Sequence, residues 1–292
     1  MRVWEGYYTY FMDISISPSH IPSPRPEWVI RFARIGLIAK GIVYCLVGAL
    51  AFMAAFELGG QTEQGAGKTG VFQFILEQPY GQVLLAIVVA GMLCYTLWRL
   101  IQAIRDTEDK GKDAKGIGKR IGYAFSGLVY GALAFTAAQL LLGNGGGSNG
   151  TDSRQTLARE LLAQPFGQWL LGAVAVGTMI MGLYQFYRAY SGKYMNKVQS
   201  EQLKPEVRTS LVRAGLVGYI ARGIVWLIIG YLLLRAAIKA NFREAGSSSQ
   251  AFQFLEEASY GSYLLGVLAL GLICYGVFMF VRAKCEVIST KG

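Results

Sequence analysis

The amino-acid sequence predicts an all-α membrane protein, with six transmembrane helices arranged as three tandem helical hairpins in pseudo-threefold symmetry. Three observations lead there. The 292-residue chain is 53% hydrophobic and only 16% charged, where soluble domains carry about a quarter charged residues. Its apolar residues gather in runs long enough to cross a bilayer, which takes about 20 residues at about 1.5 Å each. Short motifs also recur along the chain at a nearly constant spacing, the mark of internal repeats.

In chain order, residues 1–30 form a Pro-rich N-terminal segment. Its start, MRVWEGYYTYFMDISIS, lacks the basic region and continuous apolar core of a cleavable signal peptide. SPSHIPSPRP after it reads as extended chain. Repeat 1 (31–110) carries apolar runs at 35–56, interrupted only by Lys40, and at 82–98. Repeat 2 (117–195) carries runs at 121–149 and 166–187, and repeat 3 (211–288) at 223–234 and 261–281.

The repeats are legible in their motifs. The odd-numbered spans open with GLIAKGIVY from Gly36, GYAFSGLVY from Gly122 and GYIARGIVW from Gly218. The even-numbered spans are approached by FQFILEQPYGQVLL from Phe72, ARELLAQPFGQWLL from Ala158 and FQFLEEASYGSYLL from Phe252. On these motifs the chain resembles the bacterial membrane proteins grouped as domain of unknown function 1206, over residues 31–286. The third repeat departs at Ala258-Ser259, where the first two have Gln-Pro. The resemblance implies a bacterial inner-membrane protein of three two-helix repeats, and it brings no known activity and no catalytic residues.

Ahead of each even-numbered span, apolar residues share one helical face: Val71, Phe72, Ile75 and Leu76, then Leu157, Ala158, Leu161 and Leu162, then Ala251, Phe252 and Leu255. The expectation is three short helices in the outer interface with their apolar faces toward lipid. Ser247 and Gln250 suit a capping box. Pro79 and Pro165 break the helix, and Tyr80-Gly81, Phe166-Gly167 and Tyr260-Gly261 turn into the bilayer with the ring at headgroup level. Within the spans, glycine series such as Gly36/Gly41/Gly48, Gly172/Gly177/Gly182 and Gly266/Gly271/Gly276 predict close helix approach.

Charge sets the orientation. Six bases (Lys68, Arg154, Arg159, Arg235, Lys239, Arg243) fall on the hairpin side, leaving 22 of the 28 Lys and Arg on the side of the termini. Acids divide 10 to eight, so the bias lies in the bases alone. By the positive-inside rule both termini are expected in the cytoplasm. The net charge of +10 therefore points to membrane topology and anionic lipid headgroups rather than nucleic acid. The basic connection at 105–120 has no interleaved aromatic residue to stack on bases.

Chemistry-bearing motifs are few. Cys45, Cys94, Cys274 and Cys285 form no CxxC pair, and the single His20 cannot complete a zinc site, so the cysteines read as small apolar residues. GAGKTG (65–70) is similar to the end of a phosphate-binding loop, but Thr62 stands where the first glycine belongs and no strand precedes it. GNGGGSNG (143–150) reads as a flexible linker. Asn149-Gly150-Thr151 is a glycosylation acceptor that would matter only in a eukaryotic secretory pathway. No histidine lies in a span to hold haem, so Tyr44, Tyr95, Tyr130, Tyr184, Tyr187, Trp226 and Tyr275 read as packing and interface anchors. No catalytic, cofactor or metal residue is expected, and the chain is not read as an enzyme.

The remaining candidates are Lys40, Ser126 and Arg222, which occupy one repeat position and are expected to meet an anion or lipid headgroups. Read as lying one turn inside the cytoplasmic boundary, the two bases are expected to snorkel outward, the alternative being a ring at the pseudo-axis. Glu57 and Lys239, also equivalent, read as two separate interfacial side chains. The sequence favours a non-enzymatic structural or accessory membrane component, self-associating or holding another membrane protein. The alternative is a channel or transporter along the pseudo-axis.

Overall fold

The computed structural model describes residues 27–60, 62, 65–105, 113–143, 153–195, 198 and 205–286. The Pro-rich N-terminal segment with His20, residues 106–112 of the basic connection and the Asn149-Gly150-Thr151 motif lie outside them. The described chain is helical: α1 (Glu27–Ala55), α2 (Lys68–Glu77), α3 (Gly81–Arg105), α4 (Ala114–Leu141), α5 (Ser153–Leu162), α6 (Gly167–Tyr190), α7 (Pro205–Ile238), α8 (Ser248–Glu256) and α9 (Gly261–Cys285). Six of these, α1, α3, α4, α6, α7 and α9, are long and apolar enough to cross a membrane. The expected all-α, six-span architecture is what the chain forms.

Two spans begin earlier than the apolar runs imply. Arg31 and Arg34 interrupt the run before α1, as Arg208 and Arg213 do before α7, yet neither pair interrupts the helix. Arginine is a good helix former, so charge ends the hydropathy signal before it ends the structure.

The helices form an incomplete ring. Between repeats, α3 packs along α4, α6 along α7 and α9 along α1. Within repeats, α1 packs on α3 and α7 on α9, but α4 and α6 share no comparable contact. The glycines report the same asymmetry. A Cβ on Gly36 would lie 2.7 Å from the Tyr95 backbone, and one on Gly218 would lie 2.6 Å from that of Tyr275. Their counterpart Gly122 faces open space, as do Gly172 and Gly177. The outward faces of the middle hairpin, including Leu128, Phe135 and Ile180, are exposed. The contact between repeats thus recurs three times and the contact within a repeat only twice, so the expected pseudo-threefold symmetry is not confirmed.

The short helices α2, α5 and α8 form where the apolar faces predict them, and the Ser247–Gln250 capping box closes the start of α8. Their burial differs from the expectation. Val71, Phe72, Ala158, Ala251 and Phe252 are fully buried. The apolar faces meet protein, not lipid, because α2 packs on α1, α3 and α4 while α8 packs on α7 and α9. Each short helix ends at an aromatic residue in left-handed conformation: Tyr80 (φ 61°), Phe166 (φ 63°) and Tyr260 (φ 62°). These rings are exposed, as interface anchors should be. The glycine after each ring is required by space, since a Cβ there would fall within 2.2 Å of a carbonyl oxygen of the short helix.

On the side opposite the termini, Lys239 pairs with Glu244 at 2.7 Å and Arg235 joins the same carboxylate at 2.9 Å. The Lys239 hydrogen bond, reinforced by Arg235, holds the Glu244 carboxyl below its usual range. This replaces the expectation of a lone Lys239 in water.

Candidate functional site

The first and third repeats build the same hydrogen bond. Lys40 on α1 donates from Nζ to Tyr95 Oη on α3 at 3.0 Å, and Arg222 on α7 donates from Nη1 to Tyr275 Oη on α9 at 2.6 Å. In repeat register Tyr95 and Tyr275 are equivalent, as Lys40 and Arg222 are. Gly36 and Gly218, one turn before each base, let the hairpins close tightly enough for the bond to form. The middle repeat has Ser126 for the base and Met181 for the tyrosine. Ser126 is half-buried and joins neither base. Where the polar pair is missing, the hairpin is splayed.

Both bases point into the bundle. Lys40 is 3% exposed and Arg222 is 9% exposed, which overturns the snorkelling expectation: a snorkelling side chain keeps its charged head in water. The reason is aromatic. Lys40 Nζ lies 4.8 Å from the Tyr95 ring centre, 5.0 Å from Tyr130 and 5.7 Å from Tyr275. Arg222 Cζ lies 5.0 Å from Tyr275, 5.5 Å from Tyr44 and 5.8 Å from Trp226. The rings also pack at steep angles against one another, with Tyr95 and Tyr130 centred 4.6 Å apart and Tyr44 and Tyr275 4.8 Å apart. Desolvated cation–π contacts contribute about 2 kcal/mol each, enough to offset part of the cost of removing a cation from water.

Two further bases reach this centre. Arg99 on α3 donates from Nε to Tyr95 Oη at 2.9 Å and from Nη1 to Gln102 Oε1 at 2.8 Å. From the side opposite the termini, Lys68 at the start of α2 places Nζ 5.5 Å from the Tyr44 ring and 5.8 Å from Tyr130. Among the described residues, Lys40, Arg99 and Arg222 make no ion pair. These three bases are therefore held by phenol oxygens, ring faces and the Gln102 amide oxygen. A small cavity lies beside it, lined by Tyr44, Lys68, Arg222, Trp226, Ser248 and Phe252 among others. It has room for about one water molecule. Tyr44, Tyr95, Tyr130 and Tyr275 are buried around the bases.

Sequence reasoning singled out Lys40 and Arg222 but missed their tyrosines, Arg99 and Lys68. The recurrence of Tyr95 as Tyr275 in repeat register was the available signal. Lys68 was hidden in GAGKTG, set aside for lacking a phosphate-binding loop's full spacing. The four cysteines are free and half-buried, and Cys45 Sγ lies 3.8 Å from the Ile273 carbonyl oxygen. A buried ion pair at the end of α9, Arg282 with Glu286 at 2.7 Å, was also not foreseen. Among the described residues no group of His, Cys, Asp and Glu is arranged to hold a metal.

Comparison with known proteins agrees with the repeat register. The family described as Domain of Unknown Function (DUF1206) matches three times, at residues 35–106, 121–192 and 217–286. The chain is 34% identical over 264 residues to the "Uncharacterized protein YxxB" of Bacillus subtilis (strain 168), covering 90% of this chain and 94% of that protein. No solved structure matches it.

Proposed function

The chain belongs to the DUF1206 family of multi-pass bacterial membrane proteins, and from that premise we propose that it passes a small anion through its bundle, here in a closed form. The observation that carries this reading is the inward burial of Lys40 and Arg222 from equivalent positions, with no carboxylate beside them. Ionisable residues deep in a span face the bundle interior and mark the path of an ion or substrate, and basic groups there favour anions. We infer a non-enzymatic role, because the cavity beside the bases has room for about one water molecule and so for no ordinary organic substrate. In liposomes carrying the purified protein, chloride flux should be measurable and should fall by at least about tenfold on Lys40→Ala or Arg222→Ala, the cost of roughly one charged contact.

A second reading is favoured by the small size of the cavity beside the bases: a closed, non-conducting accessory component. Absence of flux from well-folded protein would support it and remove the transport reading.

We place the protein in the plasma membrane with both termini cytoplasmic, from the bias of 22 bases against six. Exposed bases on the cytoplasmic side, such as Arg31 on α1, would then face anionic headgroups. In a chain lacking its native cysteines, Asn149→Cys should react with an impermeant maleimide from outside intact cells and Lys112→Cys should not. The reverse pattern would invert the orientation.

A further inference from the structure

Two short helices turn inward from the outer side and bring their N-termini together. α2 starts at Gly67 with no side chain capping its first turn. α8 starts at Ser247, whose capping box satisfies the Ser247 and Gln250 N–H groups, and Ser248 in its first turn lines the cavity. Ala66, Gly67, Ser247 and Ser248 are all buried. The two starts touch: a Cβ on Gly67 would lie 1.9 Å from Ser249 Oγ. This is the role of the glycines in GAGKTG. They bring one helix start against another and deliver Lys68 to the centre.

A helix N-terminus carries about half a positive charge, and a buried one needs a partner for its N–H groups. Here two such ends, Lys68, the Ser248 hydroxyl and Arg222 converge around one cavity. Arg222 is nine-tenths buried and its Nε has no hydrogen-bond partner. A buried N–H of a charged group is costly to leave unpaired. Among the described residues, the lining supplies positive charge and donors and includes no carboxylate. What would complete this arrangement is negative.

We propose that the cavity between the starts of α2 and α8 binds a single halide ion, held by Arg222, Lys68 and Ser248. The size of the space, about one water molecule, excludes polyatomic anions, a phosphate group among them, whether free or on a lipid. The site gives the substrate class for the transport reading and rests on it for its role, while its chemistry stands apart.

The test is thermal unfolding of the full-length protein in detergent, with bromide replacing gluconate at constant ionic strength. A ligand that binds only the folded state raises the unfolding midpoint in a saturable way. The midpoint should rise and saturate with bromide, and chloride should act likewise. Lys68→Met and Arg222→Met should each shift the half-saturating bromide concentration upward by at least about tenfold, while Lys239→Met on the outer surface should not. Lys68 lies outside the spans, so its variant remains informative should Arg222→Met fail to fold. No saturable rise, an equal rise in Lys68→Met, or a rise with phosphate in place of bromide would overturn the site. Saturable binding without liposome flux would keep the site and remove the transport reading, whereas flux without such binding would do the reverse.

Discussion

Gly36→Val and Gly218→Val will each destabilise the folded protein by about 3 kcal/mol or more, whereas Gly122→Val will change its stability by less than about 1 kcal/mol. The three glycines occupy one repeat position and are indistinguishable by sequence. Their surroundings are not alike. At Gly36 and Gly218 even a methyl group would fall at 2.6–2.8 Å from the backbone of the facing helix, which has no rotamer with which to yield. The helices must separate, and with them the Lys40–Tyr95 or Arg222–Tyr275 bond. At Gly122 nothing lies within 4 Å, because α4 and α6 do not close on each other. Replacing glycine in a helix interior even recovers some propensity there. Denaturant unfolding of the three variants in one detergent measures the difference. Equal losses at all three positions would mean that the middle hairpin closes like its neighbours.

The same contrast shows what the sequence could and could not reveal. Span number, hairpin repeats and the short helices before each aromatic-Gly pair followed from apolar run length and motif recurrence, because those signals are local. The capping box at Ser247 was legible for the same reason: it is a pattern four residues long. Helix starts were not: Arg31, Arg34, Arg208 and Arg213 end the apolar runs without ending the helices. The direction of a side chain was also out of reach, since it depends on which helix lies opposite. Tyr95 and Tyr275 turned the bases inward, and both are contributed from more than 50 residues away. The faces of α2 and α8 were identified correctly as apolar but assigned to lipid, because amphipathicity reports that a face is buried without reporting by what. Loss of both the base and the tyrosine in repeat 2 was visible in sequence as Ser126 and Met181. Its consequence, a splayed hairpin, needed the packing.

The central claim is that buried bases hold the first and third hairpins to their tyrosines inside the bundle. Tyr275→Phe will cost about 3 kcal/mol, because it removes the acceptor of a buried guanidinium that has no carboxylate partner. Arg222→Met will cost much less, or stabilise the protein in the absence of a bound anion, since replacing a buried charge by an apolar side chain of similar length also removes its desolvation penalty. The decisive measurement is the double-mutant cycle of these two substitutions, read by unfolding free energy in bromide-free detergent. If Arg222 is turned inward onto Tyr275, the double variant will recover most of the Tyr275→Phe loss, giving a coupling of about 2 kcal/mol. Two losses that simply add to within about 0.5 kcal/mol would place Arg222 away from Tyr275, with its head at the membrane surface, and would contradict the account.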